Sequence, residues 1–197
     1  MTVAEVDGRR LRRAQNREAV LDALVQLFEE GDYTPGTNKI AERAGISPRS
    51  LFRYFDDVDD LHRAAVERAQ AMALPALEVD VAADAPLPAR IQRFVDARVR
   101  LHELVGHAER AARVAAHRHP LIAAQLREGR AWFRHQARTV FAPEVHDRPE
   151  LLAAVDVLCS IESYDLFRNA HGFSRAKTTN AMTAALTALL SPTGGHE

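Results

Sequence analysis

The 197-residue chain carries 26 Lys and Arg against 27 Asp and Glu, a formal net charge of −1, with a single cysteine, Cys159. So balanced a chain is no broadly basic nucleic-acid binder, and any attraction to DNA must come from local placement. One cysteine excludes an intrachain disulfide, and no apolar run approaches the roughly 20 residues that cross a bilayer, so a cytoplasmic protein without a membrane partner is expected.

In chain order, residues 1 to about 9 read as irregular, and MTVAEVDGRRLRR lacks the apolar core of a signal peptide. A first helix is expected from near Leu11 to Glu30, with Val20, Leu21, Leu24, Val25, Leu27 and Phe28 as its stripe. Arg9, Arg10, Arg12, Arg13 and Arg17 cluster at its start, as a solvated helix end or as an arm for phosphates and a minor groove. Gly31 stops it, DYTPG turns the chain, and Thr37 is placed to cap a second helix.

That second helix puts Ile40, Ala41 and Ala44 on one apolar edge, and Gly45 follows where a helix ends in a left-handed residue. Ser47 can cap the next helix, Pro48 suits its first position, and Ile46 with Leu51 has the spacing of a hydrophobic staple. Helix, glycine turn and capped helix make a helix-turn-helix, with the reading helix expected over Pro48–Tyr54. At about 100° per residue, Leu51 and Phe55 bury together, while Arg49 and Arg53 point away with Ser50, Phe52 and Tyr54 on the flanks. Outward arginines suit guanine edges or phosphates, hydroxyls suit phosphates, and Phe52 suits a thymine methyl; two solvated arginines on a surface hairpin would look the same.

A fourth helix starts at DDVDD and runs through Leu61, Ala65, Val66 and Ala69 to about Leu74. Pro75, Pro86 and Pro88 then mark a join, dividing the chain into a DNA-binding domain over 10–74 and a second domain over 75–197. Helical periodicity returns over about Leu87–Val105, broken by Gly106, over His107–Arg118, closed by Pro120, and over Leu121–Phe141, ended by Pro143. Further helices are expected over Pro149–His171, stopped by Gly172, and from Ser174 as cap to Leu190. The fold class is all-α, with about nine helices.

TNKIAERAGISPRSLFRYF, followed by DDVDDLHRAAVERA, resembles the DNA-binding region of TetR-family transcriptional regulators. The match is carried by Thr37, Ile40, Ala41, Ala44, Gly45, Ile46, Ser47, Leu51, Phe52, Tyr54 and Phe55, and covers about the first third of the chain. The resemblance implies a DNA-binding surface of Thr37, Lys39, Ser47, Pro48, Arg49, Ser50, Phe52, Arg53 and Tyr54. In it Arg49, Ser50 and Phe52 would face bases, while Thr37, Tyr54 and Lys39 would hold phosphates of a near-palindromic operator in double-stranded DNA. The family's usual proline, small residue and phosphate-binding lysine after the Tyr–Phe pair are replaced here by Asp56, Asp57 and Val58.

The resemblance also implies a homodimer and a small-molecule effector pocket in the second domain. Leu151, Val155, Leu158 and Leu166, with Met182, Leu186, Leu189 and Leu190, read either as core of one subunit or as a four-helix dimer seam. Arg98 and His102 share a stripe with Ile91, Phe94, Val95, Leu101 and Val105, and Glu162 aligns with Val155 and Leu158. Such groups are either an internal ion pair or, with Phe94, Trp132 and Phe133, the lining of an effector site. His102, His107, His117 and His119 lack the three- or four-residue spacing of ligands on one helix face, so no metal or other cofactor is expected. No phosphate loop, GxSxG elbow or HExxH occurs, which argues against an enzyme. The reading is a repressor released from DNA by an effector; its rival is a protein of this family type that binds small molecules and no longer an operator.

Overall fold

Gly45 has φ +68°, a conformation that side chains with a Cβ rarely adopt, and it lets the chain leave one helix and enter the next. Its N–H bonds the Glu42 carbonyl at 3.1 Å and the following Ile46 N–H bonds Ala41 at 3.0 Å, the paired bonds of a Schellman stop. Ser47 then caps the next helix, its Oγ accepting from the Ser50 N–H at 3.2 Å, with Pro48 in the first turn.

The computed structural model describes residues 3–73, 77–82 and 84–191, with side chains from residue 11 onward. Its helices are α1 (Val3–Glu29), α2 (Thr37–Arg43), α3 (Pro48–Leu51), α4 (Val58–Ala73) and α5 (Leu87–Ala116). They continue with α6 (Pro120–Val140), α7 (Ala142–Val145), α8 (Pro149–Leu158), α9 (Ile161–Asp165), a π-turn (Leu166–Ala170) and α10 (Arg175–Leu190). Among the described residues there is no strand.

The chain divides into two units, Met1–Ala71 with His107–Leu126, and Met72–Gly106 with Arg127–Glu197. The first closes around Val20, Leu24 and Leu27 of α1, Ile40 and Ala41 of α2, Leu51, Phe55 and Leu61, all at most 1% exposed. Ile46 packs on this core beside the fully buried Leu51, as the staple spacing requires. In the second unit Phe94, Val95 and Val99 of α5 meet Phe141, Val155, Ile161, Met182 and Leu186. Arg90, 5% exposed, is held there by a two-pronged pair with Glu144 at 2.8 and 2.6 Å and by the Ala85 and Val140 carbonyls. Buried in the same core, the Cys159 thiol is pushed up to about 12 by loss of solvation.

Several boundaries differ from the sequence expectation. α1 begins at Val3, not near Leu11, because Gly8 costs a helix only about 1 kcal/mol and the flanking residues favour it. Thr37 is the first helical residue, and Gly36 occupies the cap without a side-chain bond. α3 ends at Leu51, and the bonds Arg53 N to Ser50 O and Tyr54 N to Leu51 O tighten the expected reading helix into turns over 52–54.

α5 passes straight through Gly106, which is buried and did not break it. The expected Pro149–His171 helix divides at Ser160, whose Oγ accepts from Ser163 N–H and gives its own proton to the Val157 carbonyl, starting α9 afresh. Leu151, Val155, Met182, Leu186 and Leu190 fill their own unit's core, whereas Leu166 is 58% exposed in the π-turn. The Pro75 join and the expected end of α4 at Leu74 lie outside the described residues.

Replacing Gly45 by Ala places a Cβ at positive φ in open space, so the cost is backbone strain alone, roughly 1–2 kcal/mol. A lower midpoint in urea unfolding with an unchanged slope is the expected readout.

His62 in the first unit lines a small cleft with Phe28, Tyr33, Val66, Ala111 and Ile122. The His119 ring stands edge-on at 5.5 Å, and His119 Nδ1 lies 2.8 Å from Asp59 Oδ1. Burial first, then the charge of His119, holds His62 below the ordinary 6.5, against the upward pull of Asp59. An unfolded chain therefore binds this proton more readily than the folded one. The stability from neutral His62 is fully present above about pH 6.5 and is lost as pH falls toward the lower folded value. Thermal melts on either side of pH 6.5 should show a larger acid loss in the wild type than in His62→Gln.

Candidate nucleic-acid interface

The reading element is built by burying one side and leaving the other to solvent. Leu51 and Phe55 are 0% and 1% exposed, while Ser47, Pro48, Arg49, Phe52 and Arg53 are exposed and Ser50 and Tyr54 half-buried. Phe52 is 49% exposed, an apolar ring in water on the same face as two arginines. Ser47 and Ser50 hydroxyls lie 2.9 Å apart, so the cap also orients the Ser50 side chain.

Cations in this unit are treated in two ways. Lys39 pairs with Asp32 at 2.6 Å and Arg43 grips Glu30 at 2.8 and 2.9 Å. Arg63 pairs with Asp60, and Arg68 bridges Glu18 and Asp22. Those partners hold Asp32, Glu30 and Asp60 below the usual carboxylate range, chiefly through the charged hydrogen bond. Arg49 and Arg53 have no acidic partner among the described residues. Thr37 is half-buried at the start of α2 on the neighbouring element, with Lys39 exposed beyond it. Thus Arg49, Ser50, Phe52 and Arg53 present a cationic and apolar edge free for contact, while Lys39 reaches it only by leaving Asp32.

Of the acidic pair after Phe55, Asp57 has a structural role. The Asp57 carboxylate accepts the Asp60 N–H at 2.7 Å, and the Asp60 carboxylate accepts the Asp56 N–H at 3.1 Å. This reciprocal arrangement caps α4, whose positive end also favours Asp59 and Asp60.

Sequence reasoning missed part of α1. Arg13 donates to the Arg53 carbonyl at 3.2 Å, Asn16 donates to the Tyr54 hydroxyl at 2.8 Å, and the Arg17 guanidinium stands 5.1 Å from the Phe55 ring centre. The three- and four-residue spacing from Arg13 to Asn16 and Arg17 was the available sign that they share a face. The side chains of Arg9 and Arg10 lie outside the described residues.

In the second unit, Arg98 is 3% exposed with its guanidinium 4.5 Å from both the Phe94 and Phe133 ring centres, and it donates to the Phe133 carbonyl at 3.3 Å. Trp132 stacks edge-on against Phe133 at 5.3 Å and is 44% exposed. One turn on, His102 lies 3.0 Å from the Cys159 carbonyl through Nε2 and 5.4 Å from the Tyr164 ring. Phe94, Arg98, Phe133 and Trp132 therefore form one cluster with His102 beside it. Glu162, exposed on α9, pairs with Arg130 at 2.9 Å.

Residues 20–65 match the model of the bacterial regulatory proteins of the tetR family. No curated protein matches the chain. Among solved structures, a transcriptional regulator from Rhodococcus sp. Rha1 is similar at 18% identity and a TM-score of 0.72, covering 88% of this chain and 95% of its own. A Mesorhizobium loti MAFF303099 protein assigned to the TetR-family transcriptional regulators is similar at 17% identity and a TM-score of 0.57, over 91% and 97% of the two chains. At those identities the structures speak for the fold, an all-helical one with an N-terminal helix-turn-helix, and the match over 20–65 speaks for the helix-turn-helix region. Over residues 20–65, then, the chain is similar to the tetR family of bacterial regulatory proteins, and its all-helical fold is similar to that of the two solved regulators.

Proposed function

We propose that the chain is a homodimeric cytoplasmic repressor that leaves its operator when a small molecule binds residues 75–197, with residues 10–74 reading the DNA. The observation that carries the DNA-reading half is the contrast in pairing. Lys39, Arg43, Arg63 and Arg68 are engaged by acids, whereas Arg49 and Arg53 stand exposed on the element that the Gly45 stop and Ser47 cap direct outward. Arg49, with Ser50 and Phe52, faces base edges in a major groove; Tyr54, Thr37, Arg53 and the exposed backbone around Ser47 and Pro48 face phosphates. Lys39 exchanges Asp32 for a phosphate, a small cost for so exposed a pair.

Two such heads meet two half-sites about one helical turn of DNA apart, which is the geometric reason for a dimer. Val157 and Leu166, 63% and 58% exposed, are apolar side chains of the second unit that a partner subunit would cover. Light scattering at micromolar concentration should give twice the chain mass; a monomer would remove the dimer.

Binding is tested by gel retardation on the protein's own upstream DNA and on a selected random pool at rising salt. A specific, salt-sensitive complex is expected, and Arg49→Ala should weaken it by about 1–3 kcal/mol while relaxing preference at one base position. Absence of binding to both would leave the rival, a small-molecule binder that no longer recognises an operator.

The effector is proposed to be a small molecule with a flat apolar body, packed with the Phe94, Trp132 and Phe133 rings around Arg98. Flat aromatic compounds should raise the thermal midpoint of the wild type and of Glu162→Ala, and raise that of Arg98→Gln less. Equal shifts in wild type and Arg98→Gln would take Arg98 out of the site. Release then follows as a population shift between conformations whose heads do and do not match the half-sites.

A further inference from the structure

We infer that Asn16 is a positioning residue for DNA recognition, fixing the direction in which the Tyr54 hydroxyl offers its proton. The inference rests on the DNA-binding reading and adds a residue of α1 to it.

Tyr54 follows directly on the turns that close α3, and its ring packs against the core containing Leu51 and Phe55. With the ring seated, the remaining freedom lies in the hydroxyl. That group has one proton to give and two lone pairs to receive with. The Asn16 amide nitrogen lies 2.8 Å from Tyr54 Oη and fills one lone pair, leaving the proton for a partner outside. Phosphate oxygens only accept, so a phenol that still holds its donor suits them, and one that has already donated does not.

Two neighbouring contacts hold α1 against this same turn. Arg13 Nη2 donates to the Arg53 carbonyl at 3.2 Å, and the Arg17 guanidinium stands 5.1 Å from the Phe55 ring centre. Asn16 lies between those two on the helix and is half-buried with Tyr54, so the amide meets the phenol in fixed register. Residue 16 must therefore be a donor, and an isosteric acceptor reverses the hydrogen bond.

Asn16→Asp supplies that acceptor at unchanged size: the phenol must donate to the carboxylate and loses its proton for DNA. Affinities for a selected operator are measured for wild type, Asn16→Asp, Asn16→Ala, Tyr54→Phe and both Asn16 variants in the Tyr54→Phe background, with thermal midpoints alongside. Tyr54→Phe should weaken binding roughly tenfold or more, as expected for loss of a hydrogen bond to a charged group. Asn16→Asp should match that loss with a midpoint near the wild-type value, and Asn16→Ala, which frees the hydroxyl to rotate, should fall between. In the Tyr54→Phe background neither Asn16 variant should cost more than roughly twofold, the part due to the added or lost surface polarity. Losses that multiply across the two backgrounds, or an Asn16→Asp protein that binds like the wild type, overturn the inference and leave DNA binding intact. A wild type that binds neither its own upstream DNA nor a selected pool overturns both, and so marks a failure of the underlying reading.

Discussion

The left-handed turn at Gly45 is the constraint on which the reading surface depends. The two hydrogen bonds that end α2 spend its last carbonyls within the turn, and Ser47 satisfies an amide of α3 two residues later. With both helix ends closed at such short range, the angle between α2 and α3 follows from covalent geometry and two caps. Burial of Leu51 and Phe55 then fixes rotation about α3, which is what turns Arg49 and Arg53 outward. α3 itself is only four residues long, too short to be stable by its own hydrogen bonds. Its shape is imposed from outside, by the cap before it and the core beneath it.

The same logic accounts for the role of α1. A reading element ending in turns over 52–54 needs its end held, and α1 supplies contacts to three successive residues there, Arg53, Tyr54 and Phe55. These are one backbone carbonyl, one hydroxyl and one ring, so the grip does not rely on any single chemistry.

Local signals were legible in the sequence wherever a single residue type settles a backbone conformation. Gly45, Ser47, Ser174 and Gly172 all act as their residue types indicate, since positive φ and side-chain caps are properties of one residue and its nearest neighbours. Gly106 and Ser160 show the limit. Glycine inside a helix costs about as much as one modest contact, so the packing of a 30-residue helix overrides it. At Ser160 the reverse occurs: an apolar run that continues in sequence is cut because one hydroxyl offers its neighbours a better partner. Of the site, the exposed arginines were legible from a helical wheel; the Asn16–Tyr54 and Arg13–Arg53 contacts were not, because each joins residues about forty positions apart.

Asp56 and Asp57 show how fold and recognition compete for the same positions. The family's lysine would stand at Val58, in the first turn of α4, where it would offer a charge to phosphate but face the positive end of the helix. Asp57 instead takes an amide of that helix, and Asp60 returns the bond to the backbone of Asp56. The Asp57 carboxylate is thereby balanced in part by a backbone N–H group and by the positive end of α4, so its repulsion of DNA is weaker than a free aspartate would exert. The attraction forgone must come from elsewhere in a chain with no net positive charge to spare. Pairing of most nearby cations within the unit leaves Arg49 and Arg53 as exposed charges of the reading element without an acidic partner among the described residues. A surface charged in that way gains less from non-specific phosphate attraction and more from the few positions where a guanidinium meets the right edge.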